Sequence, residues 1–164
     1  MADTTTNIPL NFGGSLATIR LTHGGEADGI AVIEHRLPKG YAPPLHVHLN
    51  QDEVFHVLRG RICVEIAGKL HHAGPGDLLK APKGLPHRFI VLSDGGALIL
   101  TITSGADFES FVREASVPFA GEPPQSLMPP TEAEIARQSA AAIRNGLELL
   151  GPPLTLSDLG LQAA

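Results

Sequence analysis

What the chain lacks narrows the field first. It has a single cysteine, Cys63, so no intrachain disulfide can form and no oxidising compartment is demanded. Lys and Arg number 12 against 17 Asp and Glu, a formal net charge of -5. That balance, with no basic stripe and no helix-turn-helix pattern, argues against a nucleic-acid partner. No apolar run approaches membrane-spanning length, so no membrane partner is expected. Residues 1–7 lack the basic and apolar regions of a signal peptide, and a cytoplasmic location is expected. No internal repeat is found. What is present fits one soluble globular domain: 164 residues, 43% hydrophobic and 18% charged, with 18 glycines and 14 prolines to punctuate short strands.

Those strands follow one another at even spacing. β-branched and alternating runs predict strands over 16–22, 29–37, 45–48, 53–59, 62–66, 69–72, 78–80, 86–92 and 97–103. Ala67-Gly68 reads as a hairpin turn, and Gly74-Pro75-Gly76-Asp77 and Pro82-Lys83-Gly84 as further turns. Many short strands with such turns predict an all-β sandwich or barrel. The pattern changes at Gly105. Phe108, Phe111 and Val112 have helical spacing over 106–116, and a Pro-rich connection with Pro123-Pro124 and Pro129-Pro130 follows. Residues 131–150 predict a helix that opens on a capping box, Thr131 with Glu134. Its expected apolar stripe is Ile135, Ala142, Ile143, Leu147 and Leu150, and Gly151-Pro152-Pro153 is its expected stop. The division expected is an N-terminal arm or loose first strand over 1–15, a barrel over 16–104 and a C-terminal helical extension packed on the barrel over 105–164.

Chemistry concentrates in residues 40–60. Alternate side chains of a strand leave the same face, so His46 and His48 in His-Val-His aim two imidazoles into one space. A turn through 49–52 lets the next strand return Glu53 beside them. Two imidazole nitrogens and a carboxylate make most of a metal site. His87, after the Pro82-Lys83-Gly84 turn, stands where a strand can bring it to the same face as a fourth donor. Glu53 is in phase with Phe55 and Val57, and His87 with Phe89 and Val91, so an apolar wall should face the donors; the same residues can equally fill the barrel core. His56 has the opposite parity, and it reads with His23, His35, His71 and His72 as a structural or surface residue. Cys63, alternating between Ile62 and Val64, reads as a small buried thiol.

The two glycine-punctuated stretches resemble the paired motifs of the cupin superfamily. Gly40, His46, His48, Glu53 and Gly60 match the first, and Gly76, Pro82, Gly84 and His87 match the second. Val91 stands where the second motif carries Asn, replacing a polar group by an apolar one. The resemblance implies a small jelly-roll barrel in which His46, His48, Glu53 and His87 hold one divalent transition metal. Three imidazoles and a carboxylate suit Fe, Mn, Ni, Cu or Zn and leave coordination positions open, unlike a closed, cysteine-rich structural zinc site. A homodimer is expected by the same resemblance. The order of the C-terminal segments, a Phe-bearing helix, a Pro-rich connection and a helix ending Leu-Gly-Pro-Pro, is similar to the quercetin dioxygenase-like branch. That likeness implies O₂-dependent cleavage of a flavonol-like or other aromatic, enolic small molecule, with Glu53 as the catalytic base. A metal-dependent isomerase or lyase, and a non-catalytic ligand-binding barrel, are the competing readings, because the fold alone does not choose among them.

Overall fold

The computed structural model describes residues 7–25, 29–122 and 129–161. Pro123-Pro124 and the two chain ends lie outside the described residues. Twelve strands are present among them: β1 (Pro9–Phe12), β2 (Ser15–Leu21), β3 (Ile30–Leu37), β4 (Pro44–His48), β5 (Glu53–Arg59) and β6 (Ile62–Ile66), then β7 (Lys69–Ala73), β8 (Leu78–Ala81), β9 (His87–Val91), β10 (Ala97–Ser104), β11 (Val117–Pro118) and β12 (Leu147–Pro153). They form a seven-stranded antiparallel sheet in the order β11-β1-β2-β3-β10-β5-β8 and a five-stranded one in the order β12-β4-β9-β6-β7. This is a jelly-roll barrel, with two helices, α1 (Asp107–Ala115) and α2 (Glu132–Arg144), between β10 and β12.

Local chemistry explains the corners. At the β6–β7 hairpin Ala67 and Gly68 both have positive φ, 48° and 77°, the twist a two-residue hairpin needs. Gly60 closes β5 at φ +82°, and a Cβ there would collide with the carbonyl oxygen of Gly96 on the adjoining turn. Only glycine fits that approach.

Period-two alternation then sorts the strands. In β3 and β10 every second residue is buried, and in β5 the row Glu53, Phe55, Val57 faces inward. Facing rows from both sheets make one core that includes Phe55, Val57, Ile62, Val64, Phe89 and Val91. Burying each such side chain stabilises the fold by roughly 1.5–3 kcal/mol relative to leaving it exposed. The wider sheet has more inward surface than the five-stranded sheet covers. Its β1–β3 side packs instead against α1 and α2, in a second cluster joining Phe12, Ile19 and Ile33 to Phe108, Phe111, Val112, Ala141 and Ala142. Outside the smaller sheet, Cys63 and Ile90 are covered by Leu154 of the C-terminal segment.

Of the arm and the loose first strand expected over 1–15, the described residues show a strand, since β1 lies antiparallel to β2 and to β11. One expectation changes. The helix predicted over 131–150 ends at Arg144, although its capping box is present, with Thr131 Oγ1 accepting from Glu134 N–H and Glu134 accepting from Thr131 N–H. Gly146 turns the chain at φ +67°, and residues 147–153 run as β12 along β4. Leu147, Leu149 and Leu150 suit a helical stripe or a strand equally well. The free backbone edge of β4 decides for the strand by supplying ladder partners. Pro152 and Pro153 are tolerated because β12 is a sheet edge. The expected stripe is also not one face: Ile143 is 77% exposed, and the buried positions of α2 are Ala141 and Ala142.

Candidate metal centre

β4 delivers His46 and His48, β5 begins at Glu53, and β9 begins at His87 directly across from His46 in the β4–β9 pairing. The four ligand atoms lie within 4.8 Å of one another, and all four residues are buried. Ring centroids are 4.5 Å apart for His46–His87 and 5.3 Å for both His46–His48 and His48–His87. Glu53 Oε2 lies 2.8 Å from His87 Nε2 and 3.2 Å from His48 Nε2. The second contact lacks hydrogen-bond geometry, so His48 Nε2 has no hydrogen-bond partner among the described residues.

Carbonyls behind the rings set which nitrogen faces the centre. His46 Nδ1 is 2.7 Å from Pro44 O, and His87 Nδ1 is 3.0 Å from Leu85 O. A ring nitrogen against a carbonyl must be the protonated one, so both Nε2 atoms turn inward. His48 is held by Gln51, whose amide satisfies both its neighbours when its nitrogen donates to Ser104 O (2.8 Å) and its oxygen accepts from Phe108 N–H (2.9 Å). That oxygen end lies 3.4 Å from His48 Nδ1. All three rings are thereby oriented from outside the cluster, the usual support of metal-binding histidines.

This donor set fits a cation. His87 Nε2 and Glu53 Oε2 are both acceptors when Nδ1 carries the ring proton, so a proton or a metal ion must lie between them. Without metal it is the proton: burial opposes it, but the hydrogen bond and charge of Glu53 raise the His87 pKa above its ordinary value. Burial would raise the Glu53 carboxyl, yet the imidazoles of His48 and His87 beside it, the latter hydrogen-bonded to it, hold it well below the carboxylate range. Burial, then repulsion from His87, lowers His46 to about 4, leaving it a neutral donor at neutral pH. The cluster could hold one metal ion.

The cluster opens onto a cavity of about 560 Å³, which His46 and Glu53 line. Of the four expected wall residues, Phe55 and Phe89 line it, whereas Val57 and Val91 point inward but lie fully buried in the core and do not reach it. Much of the wall comes from residues that sequence patterns did not single out for the site. Tyr41 tilts against Phe89, with ring centroids 6.1 Å apart. Phe108 and Phe111 of α1, Gln138 of α2, and Leu147 of β12 complete the enclosure. His35, read from sequence as structural or surface, is buried on the same wall; its shared parity with Ile33 and Leu37 was the available signal. Nothing in the sequence signalled Gln51. His71 and His72 are exposed, and Cys63 is buried, its thiol pKa raised by burial.

The barrel and its site thus define a jelly-roll protein with a buried three-histidine, one-glutamate cluster. Residues 33–103 match the family model described as the cupin domain. A cupin described as RmlC-like, from Shewanella frigidimarina, superposes with a TM-score of 0.52 at 19% identity, covering 63% of this chain and 87% of that one. A structure described as a sugar phosphate isomerase of the cupin superfamily, from Silicibacter pomeroyi, superposes with a TM-score of 0.50 at 26% identity, covering 56% of this chain and 60% of that one. In sequence, 74 residues are 39% identical to a protein named oxidoreductase OpS7 of Beauveria bassiana, 41% of this chain but 24% of that protein. The chain therefore spans about a quarter of the length of that relative. The domain match thus places a cupin domain over residues 33–103, and the structural neighbours share its fold.

Proposed function

We propose that this protein is a metal-dependent dioxygenase that cleaves a flavonol-like or other aromatic, enolic small molecule with O₂. One observation carries the reading: a three-histidine, one-carboxylate cluster opens onto a cavity walled by Tyr41, Phe55, Phe89, Phe108 and Phe111. A divalent transition metal held by His46, His48 and His87 through Nε2, and by Glu53, would supply Lewis-acid and redox chemistry at this end of the cavity. Glu53, kept anionic, accepts the proton of the substrate's enolic hydroxyl at a carboxylate oxygen. The aromatic wall takes the planar ring system by edge and face contacts and excludes water from the reacting carbons. Both atoms of O₂ enter the product as a ring C–C bond breaks, so the substrate is the reductant and no other is needed.

The relative named an oxidoreductase supports redox chemistry on this scaffold. The neighbour named a sugar phosphate isomerase favours a second reading, proton transfer by metal and Glu53 without O₂. A phosphorylated substrate calls for Arg or Lys, and neither lines the cavity among the described residues. The test is O₂ uptake by metal-loaded protein against a panel of flavonols and other enols. The expected result is stoichiometric O₂ consumption, lost together with bound metal in His48→Ala. Turnover that persists without O₂ assigns the isomerase reading, and no turnover of any enol by metal-replete protein in air refutes the dioxygenase.

A further inference from the structure

β3 carries an inward row of Ala31, Ile33, His35 and Leu37, in which one position is an imidazole rather than a hydrocarbon. Its ladder neighbours are Ala17 on β2 and Ile99 on β10, both buried and apolar. The ring is 4% exposed and stands between two aromatic rings, Phe12 at 6.0 Å and Phe108 at 6.2 Å between centroids. Nε2 is buried and hydrogen-bonds no group among the described residues. The imidazole therefore holds no strand or turn in place. A buried polar atom left unmatched is destabilising, so a hydrocarbon at this position would serve the fold better. Its ring nevertheless lines the same cavity as His46 and Glu53.

The level of His35 in that cavity is set by register. On β10, Ile99 faces His35 while Thr103 faces Glu53. Four residues of strand separate the two levels, about 13 Å of rise. The cavity thus has a level that holds the His46–Glu53 end, an aromatic middle and, away from that end, an imidazole among a few neutral polar side chains that include Thr101, Gln138 and Ser139. Burial holds that imidazole at a pKa of about 4, so at neutral pH it is uncharged and offers one N–H donor and one acceptor.

We propose that His35, whose Nε2 is buried and unpartnered among the described residues, is a polar specificity determinant of the cavity, hydrogen-bonding a hydroxyl or carbonyl oxygen on the part of an aromatic ligand that lies away from the metal-binding end. The assignment rests on the flavonol-type reading of the pocket. It selects oxygenated ring systems over bare ones: a ligand oxygen that reaches the imidazole gains a hydrogen bond, and a bare ring leaves it unmatched as it is in the free protein. The expected discrimination is about tenfold.

The probes are quercetin and 3-hydroxyflavone, which share the enol and differ in the hydroxyls elsewhere on the rings. Dissociation constants are measured under nitrogen on the zinc-loaded full chain, for wild type, His35→Phe and His35→Leu, with the melting temperature of each ligand-free protein. Wild type is expected to bind quercetin about tenfold more tightly. Both variants should bind the two ligands equally, keep the wild-type affinity for 3-hydroxyflavone and metal, and melt no lower than wild type. Variants that retain the preference overturn the role of His35 while leaving the pocket reading intact. A wild type that binds both ligands equally overturns it too, as does a lowered melting temperature in both variants, which would make the imidazole structural. If wild type binds neither flavonol, the pocket reading falls and this assignment with it.

Discussion

Gln51 makes a demanding test of how the helices and the histidine–glutamate cluster are joined. Its buried amide reaches Ser104 O at the end of β10, Phe108 N–H in the first turn of α1, and His48 Nδ1. Gln51→Leu keeps the bulk and removes all three contacts. Ser104 is exposed and its carbonyl can turn to water, but Phe108 N–H and His48 Nδ1–H stay buried. Two unmatched buried donors at about 1–3 kcal/mol each place the loss of stability near 3 kcal/mol. The metal feels the change separately. With no acceptor behind it, His48 can rotate or exchange its ring proton, and loss of such outer support costs about 10–100-fold in metal affinity. Metal binding adds to stability by mass action, so the gap in melting temperature between wild type and Gln51→Leu should widen when zinc is added. Gln51→Glu is the control. It keeps an oxygen toward Phe108 N–H and His48, sets another against Ser104 O, and should lose stability while holding zinc affinity within about threefold of wild type. Competition titration with a chelator and thermal unfolding with and without zinc read both quantities. Wild-type zinc affinity in Gln51→Leu would refute the orienting role of this amide.

Two further predictions concern the parts around the site. Glu109 in α1 accepts from Thr22 Oγ1 (3.1 Å), His23 N–H (2.9 Å) and Arg113 (2.8 Å), tying the end of β2 to the helix. Burial alone would raise its pKa, but the His23 N–H and Arg113 bonds outweigh it and hold the folded value below 4.5. The stability it confers is therefore complete above the unfolded pKa and is lost as pH falls through the folded one. Urea midpoints should drop between about pH 5 and 3 in wild type, and less steeply in Glu109→Gln; parallel curves would count against the clamp. Cys63, covered by Leu154, should resist a thiol reagent in the native protein and react once Leu154→Ala opens the cover, a change costing about 2–5 kcal/mol. Equal reaction rates in the two folded proteins would contradict that packing.

Sequence by itself located the nine strands β2 to β10, the turns between them and the four residues of the buried cluster, because each rests on short-range rules. Period-two alternation put His46 with His48, and put Glu53, Phe55 and Val57 on one face; glycine and proline marked the corners. The resemblance to the paired cupin motifs then joined the two stretches without any knowledge of how the sheets close. Tertiary structure decided the rest, for reasons that local pattern cannot hold. Parity says which side of a strand Phe55 and Val57 share, not how deep each lies, and depth separates a cavity wall from a packed core. Leu147 to Pro153 became a strand because β4 had an open edge to pair with. His35 is an unremarkable member of an alternating row until α1 brings Phe108 over it, and Gln51 is a turn residue until the same helix presents an unmatched N–H. The His46, His48, Glu53 and His87 end of the cavity was legible in the chain; its walls, and the place of His35 among them, exist only where the helices return to the barrel.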